Sequence, residues 1–203
     1  MIYLLNNQKY DGVRNLPVIK IEYQNIELDF DVDYLLFTSK NGVIGIDKIS
    51  DKWKKIPAIC IGEPTANKVR ELGGIVKYVA SKSYGDELAK EILINFPPSK
   101  ILFPRAKKVL SNIVNILKDN NFKVIEKIVY KTECNKIGFI PKEGIFIFTS
   151  PSTVKCFLSQ IEWQKHYKAI AIGTKTAEVF PYEIEVSPIQ TIDYCIKLAK
   201  NML

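Results

Sequence analysis

Few residues in this chain could support metal or covalent-nucleophile chemistry. His166 is the only histidine, which excludes His-based zinc sites, two-histidine iron sites and any His–His pair. Cys60, Cys134, Cys156 and Cys195 stand at least 22 positions apart, with no CxxC. Neither a structural zinc nor a thioredoxin-like centre is expected, and no metal site at all. The four thiols read as small buried apolar residues without disulfides. No nucleophile signature surrounds Cys156 or His166. What remains is a set of cations and hydroxyls. Of the 29 cations only Arg14, Arg70 and Arg105 are arginine. Base-edge reading leans on arginine forks that lysine replaces poorly. With no RNP-like or helix-turn-helix pattern, nucleic acid is not an expected partner.

The basic excess is concentrated. Residues 97–131 hold eight cations against Asp119 and Glu126, which is +6 of the net +7. Within this stretch Leu110, Ile113, Val114 and Leu117 follow amphipathic-helix spacing, after the apolar run 101–103. Arg105, Lys107 and Lys108 are thereby expected at a strand-to-helix turn and the helix's first turn. The macrodipole there favours anions. Two readings stand side by side: a solvated lysine face, or a carboxylate or phosphate site.

The elements that position these residues come from a repeat. Phe37-Thr38-Ser39 recurs as Phe148-Thr149-Ser150, an offset of 111. The same ungapped offset carries Val43, Lys54, Ala58-Ile59, Ile61-Gly62 and Thr65-Ala66 onto identical residues, 11 identities in 30 positions. That period is too long for a solenoid and indicates a duplicated domain. Each copy reads as an apolar strand ending in Thr-Ser and a polar loop, then a helical segment, a second apolar strand ending in Gly-x-x-Thr-Ala, and another helix. Uniformly apolar strands alternating with helices indicate a parallel sheet covered on both faces, with ligands beyond the strands' carboxyl ends.

The second copy runs out of chain. Residues 1–5 resemble 100–103, and 18–23 resemble 124–130, so the missing strands are expected from the N-terminus. The predicted fold is α/β: two similar lobes, each a parallel sheet flanked by helices, joined by two linkers with a cleft between them. Residues 1–32 plus 136–203 form a discontinuous lobe, 33–130 an inserted lobe, and 131–135 a linker. Two linkers can act as a hinge. The length of 203 residues, 47% of them hydrophobic and 25% charged, fits a folded chain rather than a disordered one. No apolar run approaches the roughly 20 residues of a membrane span. The first residues lack a signal-peptide core. A cytoplasmic monomer with no membrane partner is expected.

In order along the chain, Phe37-Thr38-Ser39-Lys40-Asn41-Gly42-Val43, Ile61-Gly62-Glu63-Pro64-Thr65-Ala66, Val129-Tyr130-Lys131-Thr132, Phe148-Thr149-Ser150-Pro151-Ser152 and Ile172-Gly173-Thr174-Lys175-Thr176-Ala177 resemble the motif series of the uroporphyrinogen-III synthase family. Two features depart from it. Asn6-Asn7 and a short segment to Leu16 replace an Arg-Pro and a helix, and Lys175 stands where the first of two threonines is usual. The resemblance implies cofactor-independent cyclisation of hydroxymethylbilane, a linear tetrapyrrole bearing eight carboxylates, with loss of water and inversion of ring D. It implies Tyr130 as the acid that assists loss of the terminal hydroxyl, since a phenol stays protonated at neutral pH. It also implies carboxylate anchoring at the strand-end loops: Ser39, Lys40 and Asn41; Gly62 and Thr65; Arg105; Ser150 and Ser152; Gly173, Lys175 and Thr176. Ser150 and Thr176 could equally cap their helices. The rival is a non-catalytic two-lobed binding module for an anionic small molecule.

Overall fold

The computed structural model describes residues 1–82, 84–108 and 111–203. The chain begins with strands β1 (Ile2–Leu4), β2 (Arg14–Asn15) and β3 (Ile19–Tyr23). It continues through β4 (Tyr34–Phe37), α1 (Lys40–Asp47), a 3-10 turn at Asp51–Lys55, β5 (Pro57–Cys60), α2 (Glu63–Glu71) and β6 (Ile75–Val79). Next come α3 (Gly85–Asn95), β7 (Lys100–Ala106), α4 (Ile113–Asp119) and β8 (Lys123–Cys134). The remainder is β9 (Ile145–Phe148), α5 (Pro151–Leu158), β10 (Lys168–Ala171), α6 (Thr174–Ala177), β11 (Glu185–Val186) and α7 (Ile192–Asn201).

Two compact units result: Met1–Lys20 with Thr132–Leu203, and Ile21–Lys131. The chain passes between them twice, inside β3 and inside β8. Residues 21–32 group with the inserted unit, where Leu28, Phe30 and Val32 pack against the cluster of Leu35, Phe37 and Trp53.

In the inserted unit the sheet order is β3-β8-β7-β4-β5-β6, and the pairs β8/β7, β7/β4, β4/β5 and β5/β6 are all parallel. The terminal unit has the order β11-β10-β9-β1-β2, also parallel throughout. With β9 and β10 matched to β4 and β5 by the repeat, sheet order puts β11 in the place of β6, β1 in that of β7 and β2 in that of β8. Each sheet therefore reverses its strand order at one point, between β4 and β7 and between β9 and β1. Crevices at such reversals are the usual ligand positions of open α/β sheets.

The uniformly apolar strands follow from burial on both faces. In β4, Leu35 and Phe37 enter one core while Leu36 enters the other. In β9, Phe146 and Phe148 face an aromatic core with Phe157, Trp163 and Tyr167, while Ile145 and Ile147 pack under α7. Alternate side chains of a strand point to opposite faces, so covering both removes the polar alternation.

Four expectations are corrected. The strand beside β1 is Arg14–Asn15, whereas Ile19–Tyr23 extends the other sheet beside β8. The apolar pattern of 18–23 specifies a strand but not which sheet receives it. Second, Arg105 lies inside β7, and Lys107 and Lys108 lie in a bend before α4, not in its first turn. Strand β7 stays paired with β8 through Ala106, which delays the turn. Leu110 lies outside the described residues. Third, Cys134 and Cys156 form a disulfide, their Cα atoms 5.2 Å apart, because the end of β8 is carried alongside α5. Only Cys60 and Cys195 are free, buried thiols. Fourth, the polar loop expected after each Thr-Ser gives way to a helix that starts at the next residue, because Ser39 and Ser150 cap the first turns of α1 and α5.

Candidate functional site

Helix α1 determines the geometry at the reversal point of the inserted unit. Ser39, at the end of β4, is its N-cap, in extended conformation, and its Oγ accepts the Asn41 N–H at 3.1 Å. Serine is favoured there because it satisfies one of the helix's orphan donors. Gly42 and Gly45 then allow α1 to lie directly on the sheet. A Cβ at Gly42 would stand 2.6 Å from the Pro104 carbonyl oxygen, and one at Gly45 would stand 2.7 Å from Val129 Cγ2. The absence of those two methyl groups brings the Ser39–Asn41 turn onto the ends of β7 and β8.

Tyr130 meets it there. The residue sits in β8, is 7% exposed, and lies close to the Ser39 side chain. Burial holds its phenol above the ordinary value of 10.0, while the Ser39 contact acts in the opposite direction. Tyr130 is thus a protonated phenol at neutral pH. Because Ser39 Oγ already accepts from Asn41, its own hydrogen is available to Tyr130 Oη. Tyr23 completes the cluster: its hydroxyl donates to Asn41 Oδ1 at 3.2 Å, and its ring centre lies 6.5 Å from that of Tyr130. Burial, and secondarily Tyr130, raise the Tyr23 pKa as well. Sequence reasoning missed Tyr23, although the likeness of 18–23 to 124–130 placed it at the same strand end as Tyr130.

The other expected site residues of this unit divide. Arg105 is engaged within the protein: Nε lies 2.7 Å from Glu126 Oε2, and Nη1 donates to the Ala106 and Lys107 carbonyls. The Glu126 contact is electrostatic and lacks hydrogen-bond alignment, leaving Nε without a hydrogen-bond acceptor. Lys40 is exposed at the first turn of α1. Gly62 caps α2 with no side-chain hydrogen bond, and Thr65 is buried one turn on. Glu63 beside it pairs with Arg70 at 2.6 Å.

In the terminal unit, Ser150 and Thr153 make a reciprocal capping box on α5, and Ser152 Oγ is 3.2 Å from Ser150 Oγ. Gly173 caps α6 without a side chain, Thr176 is buried, and Lys175 is exposed. A Cβ at Gly173 would stand 3.1 Å from the Gln190 carboxamide. A shallow depression between residues 10–11 and α7 is lined by Asp11 and Asp193 as well as Lys197 and Lys200. Its mixed charge and distinct residues separate it from the strand-end loops. Among the described residues, no cluster of three His, Cys, Asp or Glu could hold a metal ion. Among them, too, no helix is long and apolar enough to cross a membrane.

Fold and site together define a duplicated, doubly wound α/β protein with a buried phenol and serine-capped helix at a strand-order reversal. The family described as uroporphyrinogen-III synthase HemD matches residues 13–187, and the chain belongs to that family. The porphyrin biosynthesis protein HemD of Ruminiclostridium josui is 29% identical over 190 residues, covering 84% of this chain. The chain spans only 38% of that relative's length. The crystal structure of uroporphyrinogen-III synthetase from Helicobacter pylori 26695 matches with TM-score 0.85 and 26% identity, over 100% of this chain and 99% of that one. A mutant uroporphyrinogen III synthase of the extremely thermophilic bacterium Thermus thermophilus shares the fold, with TM-score 0.56 and 15% identity over 94% of this chain and 90% of that one.

Proposed function

We propose that this chain is a lyase that cyclises hydroxymethylbilane to uroporphyrinogen III, with inversion of ring D and release of water, in tetrapyrrole biosynthesis. Its partner in this reading is the small-molecule substrate alone, with no cofactor, and it works as a cytoplasmic monomer. Family membership supports the reaction. The observation that carries the assignment of roles is Tyr130, buried beside Ser39 within β8.

Tyr130 Oη gives its proton to the terminal hydroxyl as the carbon–oxygen bond breaks, and water leaves. The electron pair of the adjacent pyrrole fills the vacated carbon, producing a protonated azafulvene. Ser39 donates a hydrogen bond to the phenolate left behind, and that bond is stronger for the charged form than for the neutral one. Attack by ring D through its substituted carbon gives a spiro intermediate, which fragments and recloses with the ring turned over. The proton lost as the ring rearomatises restores the phenol. Backbone N–H groups at Gly62 and Gly173, the hydroxyls of Thr65, Ser150, Ser152 and Thr176, and the cations Lys40, Lys175 and Arg105 are the proposed carboxylate contacts. Arg105 is the weakest of these, since Glu126 already balances its charge.

The test supplies freshly made hydroxymethylbilane and separates the type I and type III products. Enzyme-dependent type III isomer is expected, and type I alone would remove the assignment. Tyr130→Phe should lower kcat by about 10²-fold, the low end of general-acid contributions, with an unchanged urea midpoint. Unchanged turnover would remove the role of Tyr130.

A further inference from the structure

Tyr23 stands outside every role assigned so far, yet it touches the residue that links α1 to Tyr130. The Gln24 N–H donates to the Val129 carbonyl at 2.9 Å, which fixes the end of β3 next to Tyr130 in β8. From there the Tyr23 hydroxyl reaches Asn41 Oδ1 at 3.2 Å. The Lys48 ammonium lies 5.3 Å from the centre of the Tyr23 ring. The attraction between the ammonium and the ring face helps fix the ring, and with it the place of the hydroxyl.

A carboxamide has one accepting end and one donating end, and a phenol could bind either. Here the Tyr23 hydroxyl donates, so the carboxamide oxygen faces it and the nitrogen points away. Among the described residues, no hydrogen bond uses Asn41 Nδ2 as donor, so both of its N–H groups remain for a ligand. The two N–H bonds diverge from one nitrogen, and either can donate to a carboxylate oxygen. The backbone N–H of the same Asn41 is committed to Ser39, the partner of Tyr130. One residue therefore joins a carboxylate-binding group to the proton donor.

We propose that Tyr23 is a positioning residue: it holds the Asn41 carboxamide by its oxygen, so that an Nδ2 N–H donates to a substrate carboxylate beside Tyr130. The proposal rests on the synthase reading above and adds to it the group that orients one anchor. Tyr23 touches no reacting atom, so its effect falls on binding, whereas that of Tyr130 falls on turnover.

The experiment measures kcat, KM and isomer ratio for wild type, Tyr23→Phe, Asn41→Ala and the double variant. Losing one oriented hydrogen bond should raise KM roughly 3- to 10-fold in Tyr23→Phe, with kcat within about two-fold and the wild-type pH profile. Because Tyr23 acts through Asn41, the double variant should bind no worse than Asn41→Ala alone. A fall in kcat at constant KM, or losses that multiply in the double variant, would overturn the proposal. Should the urea midpoint of Tyr23→Phe drop, Lys48→Met carries the test, since it leaves the phenol in place. It should raise KM at least about two-fold through the lost ring contact, and an unchanged KM would overturn the proposal. Absence of type III product from wild type refutes the synthase reading itself, an outcome distinct from a failed coupling between Tyr23 and Asn41.

Discussion

Replacing Gly42 with alanine pits two effects of opposite sign against each other at the N-terminal turn of α1. Alanine is the better helix former by about 0.8–1.0 kcal/mol in a helix interior, so an exposed glycine at this position would be improved by the change. Gly42 is not exposed. The new methyl would lie 2.6 Å from the Pro104 carbonyl oxygen and must retreat by about 0.8 Å to reach ordinary contact at 3.4 Å. Pro104 belongs to β7, which is hydrogen-bonded to β4 and β8 on either side, so the helix has to yield rather than the strand. Overpacking of this kind costs about 1–3 kcal/mol. The net expectation is a loss of up to about 2 kcal/mol, seen as a lower urea midpoint at unchanged slope.

The same displacement lifts Ser39 away from Tyr130, and a misplacement near 1 Å can cost about 10²-fold in rate. Turnover should therefore fall by more than the stability loss explains. The control is Gly138→Ala, where nothing lies within 4 Å of the added carbon; it should leave both measurements unchanged. A Gly42→Ala variant as stable and active as wild type would refute the argument that these glycines set the position of α1.

Two further outcomes follow from the cysteines. Reducing the Cys134–Cys156 bridge, or replacing the exposed Cys134 with serine, should cost about 3 kcal/mol, given a separation of 22 residues. A urea midpoint unmoved by a dithiol would refute this. Cys60 behaves differently: burial pushes its thiol from 9.0 to about 12. The native state keeps that proton after the unfolded chain has lost it, so its contribution is complete below pH 9 and declines up to about pH 12. The slope is ~1.4 kcal/mol per pH unit for one proton. Cys60→Ala should flatten the decline between about pH 9 and 10, before the raised tyrosines add theirs; an unchanged slope would show that Cys60 is not its source.

Local pattern made much of the fold legible. Tyr34–Phe37 and Ile145–Phe148 are strands because four successive apolar residues fill two cores at once. The 111-residue offset exposed the duplication because both copies keep the same capping serine and the same glycine ahead of a helix. A capping role for Ser150 was readable because a cap acts within three residues of itself, whereas the loop expected after Ser39 is the first turn of α1.

Partnerships between distant residues were not readable. Whether Ile19–Tyr23 joins one sheet or the other depends on which edge is open, and short β2 had already taken the place beside β1. Arg105 looked like a free anion anchor until β8 placed Glu126 against it.

The sequence by itself determined a duplicated α/β chain of the uroporphyrinogen-III synthase family, with its strand-end serines, glycines and Tyr130 in order, since these depend on residues near one another in the chain. Only the tertiary structure decided that Cys134 bonds to Cys156, that Ser39 meets Tyr130, and that Tyr23 holds Asn41. Each of those contacts arises where packed elements converge, and short-range chemistry carries no record of what will pack against it.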